Sequence, residues 1–437
     1  MTLRDATRTV GALALLSATL PANAALTGAA LLRGRPASPV VPISGRRTVL
    51  VSGGKMTKAL ELCRAFHDAG HRVVLVESAK YRLSGHRFSR GVDVFRTVPD
   101  SSSEDYAEAL LEIVEQEHVD VYVPVCSPAS SVPDARAKSL LSGRCEVLHP
   151  DAADVERLDD KYQFFRAARL LGLPVPDTHR VTDPQQVLDF DFSGATRPYV
   201  LKSIAYDPVH RLDLTRLPFG PVDEMAAFVR SLPISADNPW ILQEFVEGTE
   251  YCTHGTVRDG RLTVYCCCES SAFQVNYATV DRPEIRAWVE RFVEALGVTG
   301  QLSFDFIEDA DGTPYAIECN PRTHSAITLF HGHHGLSSAY LSDEDLFSGV
   351  VVPDSDARPT YWLYQELWRL AVAPERLSRL RTILGGRDAI FDWDDPLPFL
   401  MVHHLQIPAL LLGNLRRGGS WLRIDFNIGK LVEPAGD

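Results

Sequence analysis

Short apolar runs that end at glycine or a charge alternate with helical stripes through the first part of the chain. Thr48 to Ser52 (TVLVS) stops at Gly53-Gly54, and Thr57 to Ala69 then sets Leu60, Leu62, Cys63 and Phe66 on one helical face before Gly70. A second run, Arg72 to Glu77 (RVVLVE), follows, and a helical pattern from Tyr106 to Gln116 precedes Val119 to Val125 (VDVYVPV). Strands separated by helices predict a parallel, doubly wound sheet. Ligands of such a sheet lie beyond the carboxyl ends of its strands, here near Gly53, Gly54, Lys55, Cys126 and Ser127. The pair Gly53-Gly54 is a weak signal by itself, because no G-x-G-x-x-G string accompanies it.

The texture changes at about Leu158. Lys161 opens a helix after Asp159 and Asp160, and the strands Tyr199 to Leu201, Trp240 to Phe245, Tyr251 to Val257 and Leu262 to Cys268 alternate enough to predict antiparallel sheet. Pro283 to Leu296 carries Ile285, Trp288, Val289, Phe292 and Leu296 on one stripe, and Gly297 ends it. Two acid-bearing strands follow, Ser303 to Ile307 and Tyr315 to Cys319. Beyond residue 345 come an aromatic helix (Tyr361, Trp362, Tyr364, Leu367, Trp368), a Pro/Asp-rich turn from Asp392 to Pro398 and an apolar run from Leu405 to Leu415. Four segments result: a leader (1–46), a doubly wound domain (47–157), an antiparallel domain (158–340) and a helical extension (341–437).

Composition adds two constraints. With 44 Lys and Arg against 57 Asp and Glu, the net charge of -13 repels phosphate backbones and excludes a general nucleic-acid binder. Eight cysteines without paired spacing argue against a zinc ribbon or a disulfide scaffold and fit a reducing cytosol. The leader departs from this balance: residues 1–47 hold six arginines against Asp5 alone, and no charge falls between Arg8 and Arg33. As one helix that stretch reaches about 36 Å, enough for a bilayer core, but Pro21 and Asn23 are expected to divide it into two apolar pieces. Three outcomes are open: secretion, an anchor on the inner face of the membrane, and packing on the protein's own apolar tail.

The chemistry concentrates in Ser303 to Arg322 (SFDFIEDADGTPYAIECNPR), two strands joined by a turn. Alternation places Asp305 away from Phe304 and Phe306 and puts Glu318 and Asn320 on one face. Two carboxylates and an amide offer the hard oxygens that Mg²⁺ or Mn²⁺ takes beside a polyphosphate. Lys161 and Lys202 sit where ammonium groups reach phosphates. The strand through Glu244, Phe245 and Val246 breaks at Gly248, which suits a hinge reading an adenine edge, and Glu250 can hold ribose hydroxyls. Lys55, His324 and Ser325 flank the position expected for a transferred phosphoryl, and His324 can accept an amine proton. The alternative for each is a solvated or structural side chain; Cys266 to Cys268 and the string His331 to His334 carry no more than that.

The order Lys161, Lys202, Glu244-Phe245-Val246, Glu250, Asp305, Glu318, Asn320, Arg322 resembles the ATP-grasp superfamily over about residues 47 to 335. The resemblance implies an α/β protein with a Rossmann-like domain followed by two α+β subdomains clasping ATP. Lys161 and Lys202 are then phosphate ligands, Glu244 to Val246 the adenine hinge, Glu250 the ribose contact, Asp305, Glu318 and Asn320 the magnesium ligands, and Arg322 the group that stabilises the phosphoryl in flight. One departure is that residues 203–219 lack the glycines of the usual phosphate flap, leaving His210 or Arg211 as its substitutes. Longer strings (SGGKMTKAL, GHRFS, DVYVPVCSP, LKSIAYD, CTHGTVRDG, IDFNIGKLVE) are similar to the mycosporine-glycine synthases, ATP-grasp ligases of mycosporine-like amino acid biosynthesis. That family implies joining glycine to 4-deoxygadusol. The competing expectations are another carboxylate–amine ligase and a membrane-attached nucleotide-binding regulator without turnover. The number of subunits is not legible.

Overall fold

A computed structural model describes residues 2–34, 45–205, 207, 209, 210, 213–270, 276–341, 349–372 and 376–432. The expected parallel sheet is present, with strands Val94–Val98, Arg72–Ser78, Thr48–Val51, Val121–Val123 and Glu146–Val147 in that spatial order. Every neighbouring pair is parallel. The first strand in sequence is therefore central, and the chain reverses its winding beside it. Gly53 makes this crevice possible: its φ is +72°, and a Cβ there would lie 2.3 Å from the Val125 carbonyl.

Two antiparallel sheets follow, as the alternation predicts. Thr178–Val181, Trp240–Glu244 and Tyr199–Ser203 form the smaller one, in that order. Arg261–Glu269, Thr249–Arg258, Gly300–Glu308 and Pro314–Asn320 form the larger one. Helices Lys161–Leu170 and Pro283–Leu296 close the back of the larger sheet, where Phe164, Trp288, Phe292, Phe304 and Phe306 make one aromatic core.

The leader corrects an expectation. Pro21 does not divide it, and Leu3–Arg33 is one helix, started by a reciprocal cap between Thr2 and Asp5. It packs on the tail helix Ile407–Arg416 with Thr9, Leu16, Asn23, Thr27 and Ala30 turned inward. Asn23 Nδ2 donates to the Tyr364 hydroxyl at 2.7 Å and lies 2.8 Å from His404 Nε2, and the Tyr364 hydroxyl donates to Thr19 Oγ1 at 2.7 Å. Packing on the protein's own tail is thus the outcome among the three that the fold displays.

The tail is no appendage either. Val49, Val51, Leu75 and Val123 from one face of the parallel sheet share a single core with Leu16, Phe330, Trp362, Phe399, Leu411 and Phe426. Arg64 and Asp395, each 3% exposed, are joined at 2.9 Å across the same junction. The string His331 to His334 is likewise anchored, because His331 lies 3.2 Å from the buried Glu61 and His333 lies 3.4 Å from Asp354.

Candidate functional site

The site forms where the two antiparallel sheets face each other. Asp160 caps the helix Lys161–Leu170 by accepting from the Gln163 amide, which sets Lys161 at its first turn. Lys161 Nζ lies 3.2 Å from Glu318 Oε1. Lys202, near the end of its strand, donates to Gln243 Oε1 at 3.1 Å. Burial lowers the Lys202 amine, and the charges of Glu318, Lys161 and Glu250 act on it, so these four side chains converge across the groove.

Strand register brings the oxygen ligands together. Asp305 pairs with Glu318 and Ser303 with Asn320, with an irregularity between Asp305 and Phe306. Phe304 and Phe306 are fully buried on the other face, as alternation requires. Burial and the facing Glu318 push the Asp305 carboxyl up to about 8. Burial also acts to raise Glu318, but Lys161, Arg322 and Lys202 hold it below the usual range. Its side chain is 40% exposed into the groove, so solvent moderates those couplings. Two carboxylates set against each other, one of them pushed up chiefly by burial, suit a divalent cation. Among the described residues no three His, Cys, Asp or Glu side chains converge on a metal, so the remaining ligands would be an amide and phosphate oxygens. Asn320 donates to Asp305 Oδ2 at 3.3 Å, and its own oxygen is taken by Arg322 Nη2, a bond that must open before Asn320 can serve as a ligand. Arg322 Nη1 has no hydrogen-bond partner; its nearest carboxylate, Asp159, is 3.6 Å away.

At the hinge, the Glu244 amide donates to Asp177 O and the Phe245 amide to Pro198 O, at 2.8 and 2.7 Å. These bonds fix the backbone at the end of this strand, just before the buried Val246. Arg216 lies over the Phe245 ring, 4.5 Å from its centroid. Gly248 is needed where the chain crosses the next strand: a Cβ there would meet Glu308 O at 1.9 Å. Glu250 is exposed beyond it. Of the flap substitutes, His210 is paired with Asp207 at 2.6 Å and packs edge-on to Trp240, while Arg211 lies outside the described residues.

The remaining assignments divide. Gly53 and Lys55 line a cleft of about 230 Å³ at the carboxyl edge of the parallel sheet, together with Glu77, Tyr81, Ser127 and Ser130. Lys55 Nζ lies 3.3 Å from Glu77 Oε1 and over the Tyr81 ring, so its ammonium is part of an ion pair. Gly54 is better explained by packing, because its carbonyl accepts from Ser84 Oγ at 2.6 Å and lies 3.1 Å from His86 Nδ1. His324 Nδ1 accepts from the Ala326 amide at 3.2 Å, so that nitrogen is engaged in capping. Ser325 Oγ accepts from Asn427 Nδ2 at 2.8 Å, and Asn427 Oδ1 is buried without a partner.

One group escaped sequence reasoning. Lys58, 6% exposed at the start of the helix Thr57–Asp68, donates to Cys126 O at 3.0 Å and to Thr323 O at 2.6 Å. It thereby joins the edge of the parallel sheet to the turn carrying Arg322 and His324. Burial, and then the Arg322 guanidinium, lower its amine to about 7. A lysine in an amphipathic helix reads as solvated, and only the placement of Thr323, 265 residues away, removes it from water.

Comparison with known proteins agrees with this architecture. A family model described as an ATP-grasp domain matches residues 222–326. The C-terminal section of the carbamoyl phosphate synthase large chain of Methanopyrus kandleri is 24% identical over 230 residues, covering 48% of this chain and 40% of that protein. The chain thus spans less than half the length of this curated relative. Among solved structures, N5-carboxyaminoimidazole synthase of Aspergillus clavatus, solved with ADP and 5-aminoimidazole ribonucleotide, gives a TM-score of 0.53 at 14% identity, covering 72% of this chain and 80% of that one. Biotin carboxylase of Campylobacter jejuni, solved as a β-γ-ATP complex, gives 0.51 at 14% identity, covering 67% and 68%. The fold is the ATP-grasp fold, with a leader helix and a helical tail added to it.

Proposed function

We propose that the protein is an ATP-grasp ligase that phosphorylates an enolate or carboxylate acceptor and joins it to an amine, with 4-deoxygadusol and glycine as the pair and mycosporine-glycine, ADP and phosphate as products. The observation that carries the ligase reading is the convergence of Lys161, Lys202, Asp305, Glu318, Asn320 and Arg322 in one groove between two antiparallel sheets. The choice of acceptor rests on the sequence strings similar to the mycosporine-glycine synthases.

The chemistry is consistent with such a site. Deoxygadusol is a 1,3-dicarbonyl in its enol form, hence a vinylogous acid, and its enolate oxygen leaves as poorly as hydroxide. Transfer of the γ-phosphoryl gives an enol phosphate, the glycine nitrogen adds to the conjugated carbon, and phosphate departs. Lys161 and Lys202 hold the polyphosphate, the Val246 region holds the base and Glu250 the ribose. A Mg²⁺ ion held by Asp305, Glu318 and Asn320 would offset phosphate charge. Arg322, with one nitrogen unpartnered, steadies the phosphoryl as it moves. Lys58 takes the amine proton: as a neutral amine it has two N–H groups, both used on carbonyls, and one lone pair left over. This role moves from His324, whose Nδ1 is occupied, and His324 keeps that of orienting an anion.

The test is incubation of purified protein with ATP, Mg²⁺, deoxygadusol and each amino acid in turn, read by absorbance and mass. One ADP and one phosphate per mycosporine-glycine are expected. AMP and pyrophosphate would refute phosphoryl transfer to the acceptor. Turnover with another acid but none with deoxygadusol would leave the ligase and replace its substrate.

A further inference from the structure

Apolar side chains that remain in water are unevenly distributed. Of the 20 large hydrophobic residues exposed among the described residues, 14 belong to the leader helix or to residues 351–432. On the leader they include Val10, Leu15, Leu31 and Leu32, at 54, 59, 57 and 89% exposure. No charge interrupts this helix between Arg8 and Arg33. Among the described residues it is the one helix long and apolar enough to cross a membrane, by length and composition. The tail adds the helices Leu363–Val372 and Arg376–Gly385, which pack on each other. The second exposes Leu377, Leu380 and Leu384, spaced by three and four residues and so on one face, and the first exposes Leu367 and Trp368. Trp368 lies one turn beyond Tyr364, the residue bonded to Thr19 and Asn23 of the leader. Leader and tail hairpin are therefore neighbours.

Cations rim this surface. Arg4, Arg8 and Arg33 are exposed at the two ends of the leader, and Arg381 lies beside the leucine stripe. Between the tail helix that carries the leader and the turn after the second strand of the parallel sheet is a groove of about 330 Å³. Leu83, Leu410 and Leu412 line it together with Lys80, Arg82, Arg416 and Arg417. Such clustering in a chain of net charge -13 marks a surface complementary to negative charge.

We propose that the leader and the tail hairpin together form a docking face for a bilayer surface bearing anionic headgroups. The leader lies in the plane of that surface and does not cross it, because one face is bonded through Asn23 and Thr19 to Tyr364 and packed on the tail helix. Its leucines and those of the hairpin enter the interface, while the arginines meet headgroups. A second copy of the chain is a poorer occupant: a two-fold contact through this face would set the cationic rim of each copy against that of the other.

The experiment uses the full chain with vesicles of phosphatidylcholine alone and of phosphatidylcholine mixed with phosphatidylglycerol, read by flotation. Binding is expected on the mixed vesicles, falling as salt rises, and at least tenfold weaker on phosphatidylcholine alone. The double variant Leu380→Glu/Leu384→Glu and, separately, Arg416→Glu/Arg417→Glu should each lower binding at least tenfold with an unchanged melting temperature, since all four side chains are exposed. The proposal is overturned by a protein that floats with neither vesicle, or by binding that both variants retain. It is equally overturned by a dimer in solution that Leu380→Glu/Leu384→Glu disperses, which would assign the face to a second copy. None of these readouts depends on which acceptor the ligase uses.

Discussion

At the scale of single residues, the proposed roles separate by the quantity each substitution should change. Removing the Glu318 carboxylate takes away the proposed metal ligand and the partner of Lys161 at once. Glu318→Ala is expected to lower turnover by roughly 10²-fold or more with the melting curve preserved; a near wild-type rate would refute the metal assignment. Lys202→Ala acts on the polyphosphate, so the KM for ATP should rise more than turnover falls. Lys58 predicts a pH dependence. Its amine, held at about 7, is faced by Arg322, Lys55, Cys126, His254 and His324. Below that pH the amine is protonated and has no lone pair to offer, so turnover should fall as pH drops through about 7. In Lys58→Met the rate should fall by about 10²-fold or more, and the residual rate should lose that acid limb. A limb of unchanged position would show that another group produces it.

At the scale of elements, alternation and spacing were sufficient to find the acid hairpin, because a strand's two faces are set by geometry that sequence displays directly. The same rule failed for the leader. Pro21 reads as a breaker, yet the helix continues past it, since tertiary contacts through Asn23 and Thr27 outweigh one lost backbone bond. The hinge offers a test of close packing between elements. Because a Cβ at position 248 would overlap the Glu308 carbonyl, Gly248→Ala must displace either the hinge or the neighbouring strand. A loss of about 1–3 kcal/mol in unfolding free energy is expected, with a raised KM for ATP. Full stability with normal ATP affinity would mean that the crossing is looser than these contacts imply.

At the scale of the whole molecule, the tail and the parallel sheet stand or fall together. Arg64 and Asp395 are both nearly inaccessible, and the Arg64 Nη2 also donates to Ile390 O and Asp395 O. Asp395→Ala leaves a buried guanidinium without its counter-ion and should destabilise the fold by about 3–5 kcal/mol. A single unfolding transition, shifted as a unit, is the expected form in chemical denaturation; separate transitions for sheet and tail would contradict the shared core. This junction also places Asn427 against Ser325, so the far end of the chain reaches the site.

The sequence by itself determined the doubly wound sheet, the antiparallel strands and the faces on which Asp305, Glu318 and Asn320 lie, because periodicity and local spacing encode which face of an element a side chain occupies. What tertiary structure alone decided was long-range: the burial of Lys58 between Cys126 and Thr323, and the packing of the leader on the tail. The union of the tail with the first core belongs with them. Each depends on residues tens to hundreds of positions apart meeting in space. Helical and strand periods describe only neighbours along the chain, so the dielectric surroundings, partners and exposed faces of those groups exist only once the sheets and helices have packed.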